Sequence, residues 1–69
     1  MSVYRVTELI GTSAVSWEDA ASVAVKTASQ TIRDLRVAEV MAQDIHLAED
    51  GSITYRTKVR VSFKYEAAE

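Results

Sequence analysis

The charged side chains that could do chemistry in this chain are concentrated in its second half. Four cations alternate with other residues along one segment: Arg56, Lys58, Arg60 and Lys64. Such a row could hold phosphate groups, but carboxylates such as Glu39 could instead form cross-strand ion pairs with it, and we favour the ion pairs. His46 is the only histidine. Because it lacks a partner residue for a metal site or a catalytic pair, we interpret it as a packed or surface residue.

No combination of residues in the chain predicts catalysis. The sequence has no nucleophile with a plausible base, and its two glycines do not form a phosphate-holding loop. Asp44 suggests a different role: if a symmetry axis of an assembly passes near it, one carboxylate from each subunit would supply several hard oxygen ligands for Ca²⁺ or Mg²⁺. Trp17 could stack on a ring ligand, although its place in an apolar stripe favours packing. We therefore expect a binding or structural protein and not an enzyme.

The strongest local pattern is a strand over residues 53–65. Apolar and aromatic residues alternate there with polar ones, and only Thr57 interrupts the apolar row. At about 3.4 Å per residue, this strand would be roughly 44 Å long. A chain of 69 residues has too little material to cover it. The strand therefore predicts association with other subunits.

A strand and a helix are predicted before this segment. The strand covers residues 3–10 and stops at the turn-favouring Gly11-Thr12-Ser13. The helix covers residues 17–35 and begins with a capping box, in which Ser16 accepts from the amide of Asp19 and the side chain of Asp19 reaches back. An apolar stripe along this helix is expected to face the sheet: Trp17, Ala20, Ala21, Ala24, Ala28, Ile32 and Leu35.

A second long strand over residues 37–48 is predicted to form a hairpin with residues 53–65. Asp50-Gly51 marks the turn, with a loop of two or four residues. The loop sets four pairs: Ala42 with Val59, Val40 with Val61, Ala38 with Phe63, and Asp44 with Thr57. We expect the helix to cover the face formed by the first three pairs. A helix of roughly 28 Å cannot span a hairpin of about 40 Å, which leaves four residues uncovered as a place for another subunit or a ligand: Asp44, His46, Tyr55 and Thr57.

Composition limits the class of protein and its partners. The chain has 69 residues and no cysteine, so we expect a single domain over residues 1–69 that is not held by disulfides. Its net charge of −2 with interspersed signs predicts neither a nucleic-acid nor a membrane partner. No segment is apolar enough to span a bilayer or to act as a secretion signal, so a cytoplasmic location is expected.

The order of these elements and several short motifs resemble the dodecin family over nearly the entire chain. The matching motifs are Gly11-Thr12-Ser13, Ser16-Trp17, Val37-Ala38-Glu39-Val40, Tyr55-Arg56-Thr57 and the row Val59, Val61 and Phe63. The resemblance implies an α+β fold, in which a β-α-β-β unit wraps a three-stranded antiparallel sheet around one helix. It also implies that twelve copies assemble into a hollow dodecameric shell.

The resemblance further implies a small-ligand function. Dodecins store or sequester flavins between subunits, with a Trp stacking on the ring and a Gln contacting its edge. In this chain Val37 stands at the position of the Trp and Arg56 at that of the Gln. Loss of the stacking ring removes about 0.5–1.5 kcal/mol per contact, so we expect impaired flavin binding.

Other segments are similar to the actinobacterial calcium-dodecin subgroup, whose members keep the shell and bind Ca²⁺ at subunit junctions. These segments are Met1-Ser2-Val3-Tyr4, Arg36-Val37-Ala38, Gln43-Asp44 and Ile53-Thr54-Tyr55-Arg56. Asp44 is the candidate metal ligand. The leading hypothesis is a non-enzymatic homododecamer that binds or stores calcium, and the alternative is a flavin (FMN or riboflavin) storage and sequestration protein.

Overall fold

The computed structural model describes residues 1–65 and confirms the predicted β-α-β-β order. Its elements are β1 (Tyr4–Ser13), α1 (Trp17–Ser29), β2 (Leu35–Leu47) and β3 (Ile53–Lys64). The three strands form one antiparallel sheet in the order β1-β3-β2, and α1 lies on one face of it. The predicted single domain also includes residues 66–69, which lie outside the described residues.

Helix α1 begins where the sequence predicts it and ends earlier. The hydroxyl of Ser16 accepts from the backbone amide of Asp19 at 3.0 Å, which confirms the N-cap. The side chain of Asp19 does not reach back to Ser16, because it accepts from the Ser13 hydroxyl at 2.7 Å. The last helical residue is Ser29 and not Leu35. The chain tightens there, because the amides of Gln30 and Thr31 donate to carbonyls only three residues back, at 3.2 and 3.1 Å. Asp34, with a left-handed φ of 60°, then precedes β2.

The helix packs on the sheet through small residues. Ala20, Ala24 and Ala28 are buried on one face of α1, as the stripe predicts, and Val59 and Val61 are buried beneath them. The backbone of Gly11 in β1 also lies against the helix. A Cβ at this position would overlap the carbonyl oxygen of Ala20 and lie 2.9 Å from the Cβ of Ala24. Glycine and alanine together therefore allow the close approach of α1 to β1.

The observed register of the hairpin differs from the predicted one. Five residues separate the pair Leu47 and Ile53, so the loop is neither two nor four residues long. Since side chains alternate along a strand, this one-residue change moves Asp44 to the other face, opposite Arg56 instead of Thr57. Ala42 moves with it and lies opposite Lys58.

A β-bulge in β2 then returns the residues before Met41 to the side of the sheet that the sequence predicts for them. The register shifts between Val40 and Ala42, so that Val40 lies opposite Val59 and Ala38 opposite Val61. An extra residue in one strand of a pair has this effect, because it leaves one residue unpaired. Ala38 and Val40 are therefore on the helix side of the sheet as predicted, but each is displaced by two residues from its predicted partner.

The helix leaves β2 almost uncovered. Because β3 is the central strand, α1 lies over β1 and β3, and every residue of β2 after Leu35 is exposed. The prediction that the helix covers Ala38, Val40 and Ala42 is therefore wrong. The side chains of Val40, Ile45 and Leu47 are 53%, 46% and 69% exposed, and all three are on the helix side of the sheet.

The chain is elongated for its size. Its dimensions are 53 × 20 × 17 Å and its radius of gyration is 14.3 Å, against about 11 Å for a compact chain of this length. Its accessible surface of 5315 Å² exceeds the value of about 4,300 Å² expected for a folded monomer of this mass. The excess agrees with the predicted mismatch between strand length and chain length.

We expect Gly11→Ala to destabilise the fold, because the new Cβ forces α1 away from β1. The free energy of unfolding should fall by about 3 kcal/mol, near the upper end for overpacking, as measured by chemical denaturation at matched protein concentrations. Gly51→Ala is the control: Gly51 has a φ of 90° and no atom within 4 Å of an added Cβ. It should cost only about 1 kcal/mol, the penalty for a left-handed alanine. Equal losses in the two variants would contradict the close-approach argument.

Candidate functional site

The face of the sheet opposite α1, hereafter the helix-free face, carries alternating charges. The four cations predicted as a row lie there on β3: Arg56, Lys58, Arg60 and Lys64. Lys58 and Arg60 contact Glu8 of β1 at 3.2 and 3.0 Å, and Arg56 contacts Asp44 of β2 at 2.7 Å. The interpretation as ion pairs is confirmed for Arg56, Lys58 and Arg60, but their acids are Glu8 and Asp44 and not Glu39.

Asp44 and Arg56 form a two-point ion pair. Arg56 Nε donates to Oδ1 of Asp44 at 2.7 Å, and Nη2 donates to Oδ2 at 3.1 Å. The side chains are 57% and 42% exposed. The backbone carbonyl of Asp44 accepts a third bond, from Trp17 Nε1 at 3.0 Å. The predicted metal ligand is thus held at its side chain by β3 and at its backbone by the first turn of α1.

The ion pairs lower the pKa of both acids, Asp44 and Glu8. The hydrogen bond from Arg56 lowers the pKa of Asp44 from its ordinary value of 3.8, and the same bond raises the pKa of Arg56. The pKa of Glu8 is also lowered, mainly by its hydrogen bonds with Arg60 and Lys58. Both carboxylates are therefore charged at neutral pH and can act as hard oxygen donors.

Trp17 covers the end of the sheet that was expected to be bare. Its ring contacts Tyr55 edge to face, with ring centroids 5.1 Å apart, and its carbonyl accepts from the Thr57 hydroxyl at 2.9 Å. Thr57 is completely buried. The expectation that Tyr55 and Thr57 are uncovered is therefore wrong, whereas the packing role of Trp17 agrees with the structure.

A depression of about 290 Å³ opens beside the ion pair. It is lined by Ile10 of β1, Ala42 and Asp44 of β2, and Arg56 and Lys58 of β3. The depression therefore combines an apolar floor with charges of both signs. His46 lies further along β2, opposite Thr54.

One subunit does not supply a complete metal site among residues 1–65. No three side chains of His, Cys, Asp or Glu come close enough there to hold an ion together. Ca²⁺ prefers six to eight oxygen ligands, and Asp44 offers two carboxylate oxygens. The donor chemistry suits calcium, and within residues 1–65 Asp44 contributes its two oxygens without a cluster of further acids or histidines beside it.

The two positions linked by resemblance to flavin are far apart within one chain. Val37 lies opposite Ser62 on the helix-free face, and its side chain is exposed. Arg56 is on the same face, six residues from Ser62 along β3, which corresponds to about 20 Å. Within a single subunit the structure therefore does not bring Val37 and Arg56 together.

Comparison with known proteins decides the family. The sequence model of the Dodecin family matches residues 3–66. The chain belongs to the dodecin family. The predicted resemblance is therefore confirmed over almost the whole chain.

The relatives include proteins named for calcium. The calcium dodecin of Mycobacterium tuberculosis is 51% identical over 69 residues, covering 100% of this chain and 97% of that protein. A crystal structure of calcium dodecin from the same organism, described as a calcium-chelating immunodominant antigen with a novel calcium-binding site, has a TM-score of 0.89 and 48% identity, covering 99% of this chain and 97% of that one.

A dodecin with lower identity has the same fold. The dodecin of Streptomyces coelicolor has a TM-score of 0.88 and 31% identity, with 97% of this chain and 96% of that chain covered. The fold is thus retained as the identity falls. In the part of the chain that the structure describes, no helix is long and apolar enough to cross a membrane.

Besides the pairing of Asp44 with Arg56, sequence reasoning missed two other features of the site, the acid Glu8 and the bond from Trp17. Glu8 shares its side of β1 with the apolar residues Tyr4, Val6 and Ile10, and this single charge among them is the signal in the sequence that it faces the cations of β3. The bond from Trp17 to the carbonyl of Asp44 had no signal in the sequence, because it depends on a hairpin register that the turn residues alone do not specify.

We expect the titration of Asp44 to depend on Arg56. In the natural chain its pKa lies below 3.8, so its stabilising contribution is present above the ordinary pKa and is lost as the pH falls through the lower pKa of the folded state. Arg56→Gln should raise the pKa of Asp44 toward 3.8, as measured by NMR titration of the side-chain carboxyl carbon. Glu8, which is paired with Lys58 and Arg60, is the internal control and should not shift. An unchanged titration of Asp44 would contradict the ion pair.

Proposed function

We propose that this protein is a non-enzymatic, cytoplasmic homododecamer that forms a hollow shell and binds or stores calcium at its subunit junctions. The observation that carries the proposal is the exposed carboxylate of Asp44 in a dodecin fold whose described residues, 1–65, bring no three His, Cys, Asp or Glu side chains together within one chain. The similarity to calcium dodecins supports the choice of ion.

The exposure of strand β2 supports assembly. On the helix side, Val40 and Ala38 border an apolar groove of about 270 Å³ against Ala21 and Val25 of α1. The excess surface of about 1,000 Å² is similar to the area of about 800 Å² that one partner buries in a standard interface. Burying β2 against other copies would remove exposed apolar side chains from water and complete the core.

Symmetry would also supply the missing metal ligands. Copies around an axis present the same residue to a common point, so several Asp44 carboxylates could surround one Ca²⁺. Ca²⁺ accepts flexible coordination by carboxylate, carbonyl and water oxygens. The exposed position of Asp44 on the helix-free face allows this sharing, whereas a buried carboxylate would not.

We further propose that flavin binding is impaired relative to the family pattern. At position 37 this chain offers an aliphatic side chain in place of an aromatic plane. At position 56 the guanidinium already donates to both oxygens of Asp44, so contact with a flavin edge would require breaking that pair.

Assembly is tested by native mass spectrometry and light scattering. We expect a mass of about 91 kDa, for twelve chains of 7.6 kDa. Ile45→Asp should give smaller species, because it places a charge on the apolar surface of β2 that is expected to be buried. Gln30→Glu, which adds a carboxylate at an exposed position after α1, should keep the full mass. A natural chain that remains monomeric or dimeric would contradict the shell.

Calcium binding is tested by isothermal titration calorimetry of the assembled protein. We expect saturable binding that Asp44→Asn weakens at least about tenfold, since the variant loses the charge of a direct ligand. Trp17, the only tryptophan, provides a second signal, because its indole donates to the carbonyl of Asp44. Glu49→Gln is a control that removes an acid of the loop. No calcium binding, or equal binding by the Asp44 variant, would reject the site.

Flavin binding is tested by quenching of riboflavin or FMN fluorescence. We expect little quenching by the natural chain and stronger quenching by the double variant Val37→Trp with Arg56→Gln, which restores both residue types of the family pattern. Val37→Leu with Arg56→Gln is the matched control, because it adds apolar bulk without a ring. Strong quenching by the natural chain would instead favour flavin storage.

A further inference from the structure

Each carboxylate oxygen of Asp44 accepts one hydrogen bond from the same side chain. Arg56 donates to Oδ1 at 2.7 Å and to Oδ2 at 3.1 Å, the parallel arrangement by which arginine recognises carboxylates. A divalent cation binding at Asp44 would use these same oxygens. The guanidinium and the cation therefore compete for one group.

We propose that Arg56 is a built-in competitor that sets the affinity and selectivity of Asp44 for divalent cations. In this scheme Ca²⁺ binds by displacing the guanidinium, which swings away while its backbone stays in β3. The inference rests on the proposed calcium function and adds to it a residue that regulates the site without being a ligand.

The exposure of the pair makes displacement feasible. With about half of each side chain in water, solvent screens the ion pair, although its two-point geometry makes it stronger than an ordinary exposed pair. The attraction between a divalent ion and several carboxylates can exceed the attraction within such a pair. A monovalent ion carries half the charge and gains about half the attraction to the same carboxylates. Arg56 would thus suppress binding of monovalent ions at Asp44 more completely than binding of Ca²⁺.

The displaced guanidinium would still influence the site. Its anchor in β3 keeps it on the helix-free face beside Asp44, where its positive charge opposes that of the metal. In a symmetric site each copy adds one such cation, so the effect is repeated at every ligand. The affinity for calcium then depends on residue 56 as well as on the carboxylate.

Lys58 provides a matched control within the same depression. It also lines the space beside Asp44, but its ammonium contacts Glu8 at 3.2 Å and not Asp44. Lys58→Gln removes one positive charge from the same face while the bond between Arg56 and Asp44 stays intact. It therefore separates direct occupancy of Asp44 from the general field of the cations.

The test is calorimetric titration of the assembled protein with CaCl₂ at constant ionic strength, with light scattering to verify that each variant has the natural mass. Arg56→Gln should bind Ca²⁺ about tenfold more tightly, through loss of both the competing pair and the nearby charge. Arg56→Lys, which keeps the charge and loses the two-point geometry, should show a smaller gain. Lys58→Gln should change the affinity by at most about twofold, because screening weakens its more distant charge.

The outcomes separate this inference from the proposed function. Calcium binding by the natural chain with equal or weaker binding by Arg56→Gln would overturn the competitor role and leave the calcium function standing. Equal gains in Arg56→Gln and Lys58→Gln would also overturn it, because they would indicate a general field. Absence of calcium binding by the natural chain and all variants would reject both the calcium function and the competitor role. Calcium binding by Arg56→Gln alone would support the competitor role of Arg56 and reject calcium binding by the natural chain.

Discussion

The close contact between α1 and β1 determines the rest of this structure. Gly11 lets the carbonyl of Ala20 approach the strand, and the alanine face of the helix lies over β1 and β3. A helix of 13 residues placed there cannot also cover β2. The residues that make the core of the subunit compact therefore also leave β2 without a helix above it, and its apolar side chains remain in water within a single chain.

This division of the sheet separates two roles. The helix side contains the small core and, along β2, an apolar surface suited to contact with other copies. The helix-free face carries the charged residues and the depression beside Asp44. Trp17 connects the two sides, since its ring packs on Tyr55 while its indole nitrogen donates to the backbone of Asp44. The position of the candidate ligand is therefore coupled to the start of the helix.

Much of the fold could be predicted because local signals agreed. The Ser16 cap, the alanine stripe and the alternation along β3 each specify one element with little dependence on the others. The end of α1 could not be predicted, because the apolar pattern continues past Ser29 to Ile32 and Leu35, whereas the backbone already tightens at Gln30 and Thr31. The order of the strands was not predicted either. The helix was expected to cover the hairpin of β2 and β3, whereas it covers β1 and β3.

The candidate site was predicted less completely because it depends on register. Asp44 was predicted as an acid near the turn without a helix above it, and its side chain is exposed. However, the five-residue loop places it on the opposite face of the sheet, and the bulge at Met41 returns the residues before it to their predicted face. Both faces of β2 contain apolar and polar residues, so the sequence pattern specifies the register of this strand only weakly. The partner of Asp44 therefore became visible only with the sheet.

The observed register places acids beside the cations of the helix-free face. The cationic residues of β3 lie in the central strand, with Glu8 on one neighbouring strand and Asp44 on the other, so acids flank them from both sides. Without these acids, repeated copies would bring many like charges together and oppose assembly. In the proposed site, Asp44 would have two competing demands, pairing with Arg56 within the subunit and offering oxygen to a cation between subunits. A divalent ion carries enough charge to pair with two such carboxylates, which is the physical reason that it would suit the proposed site.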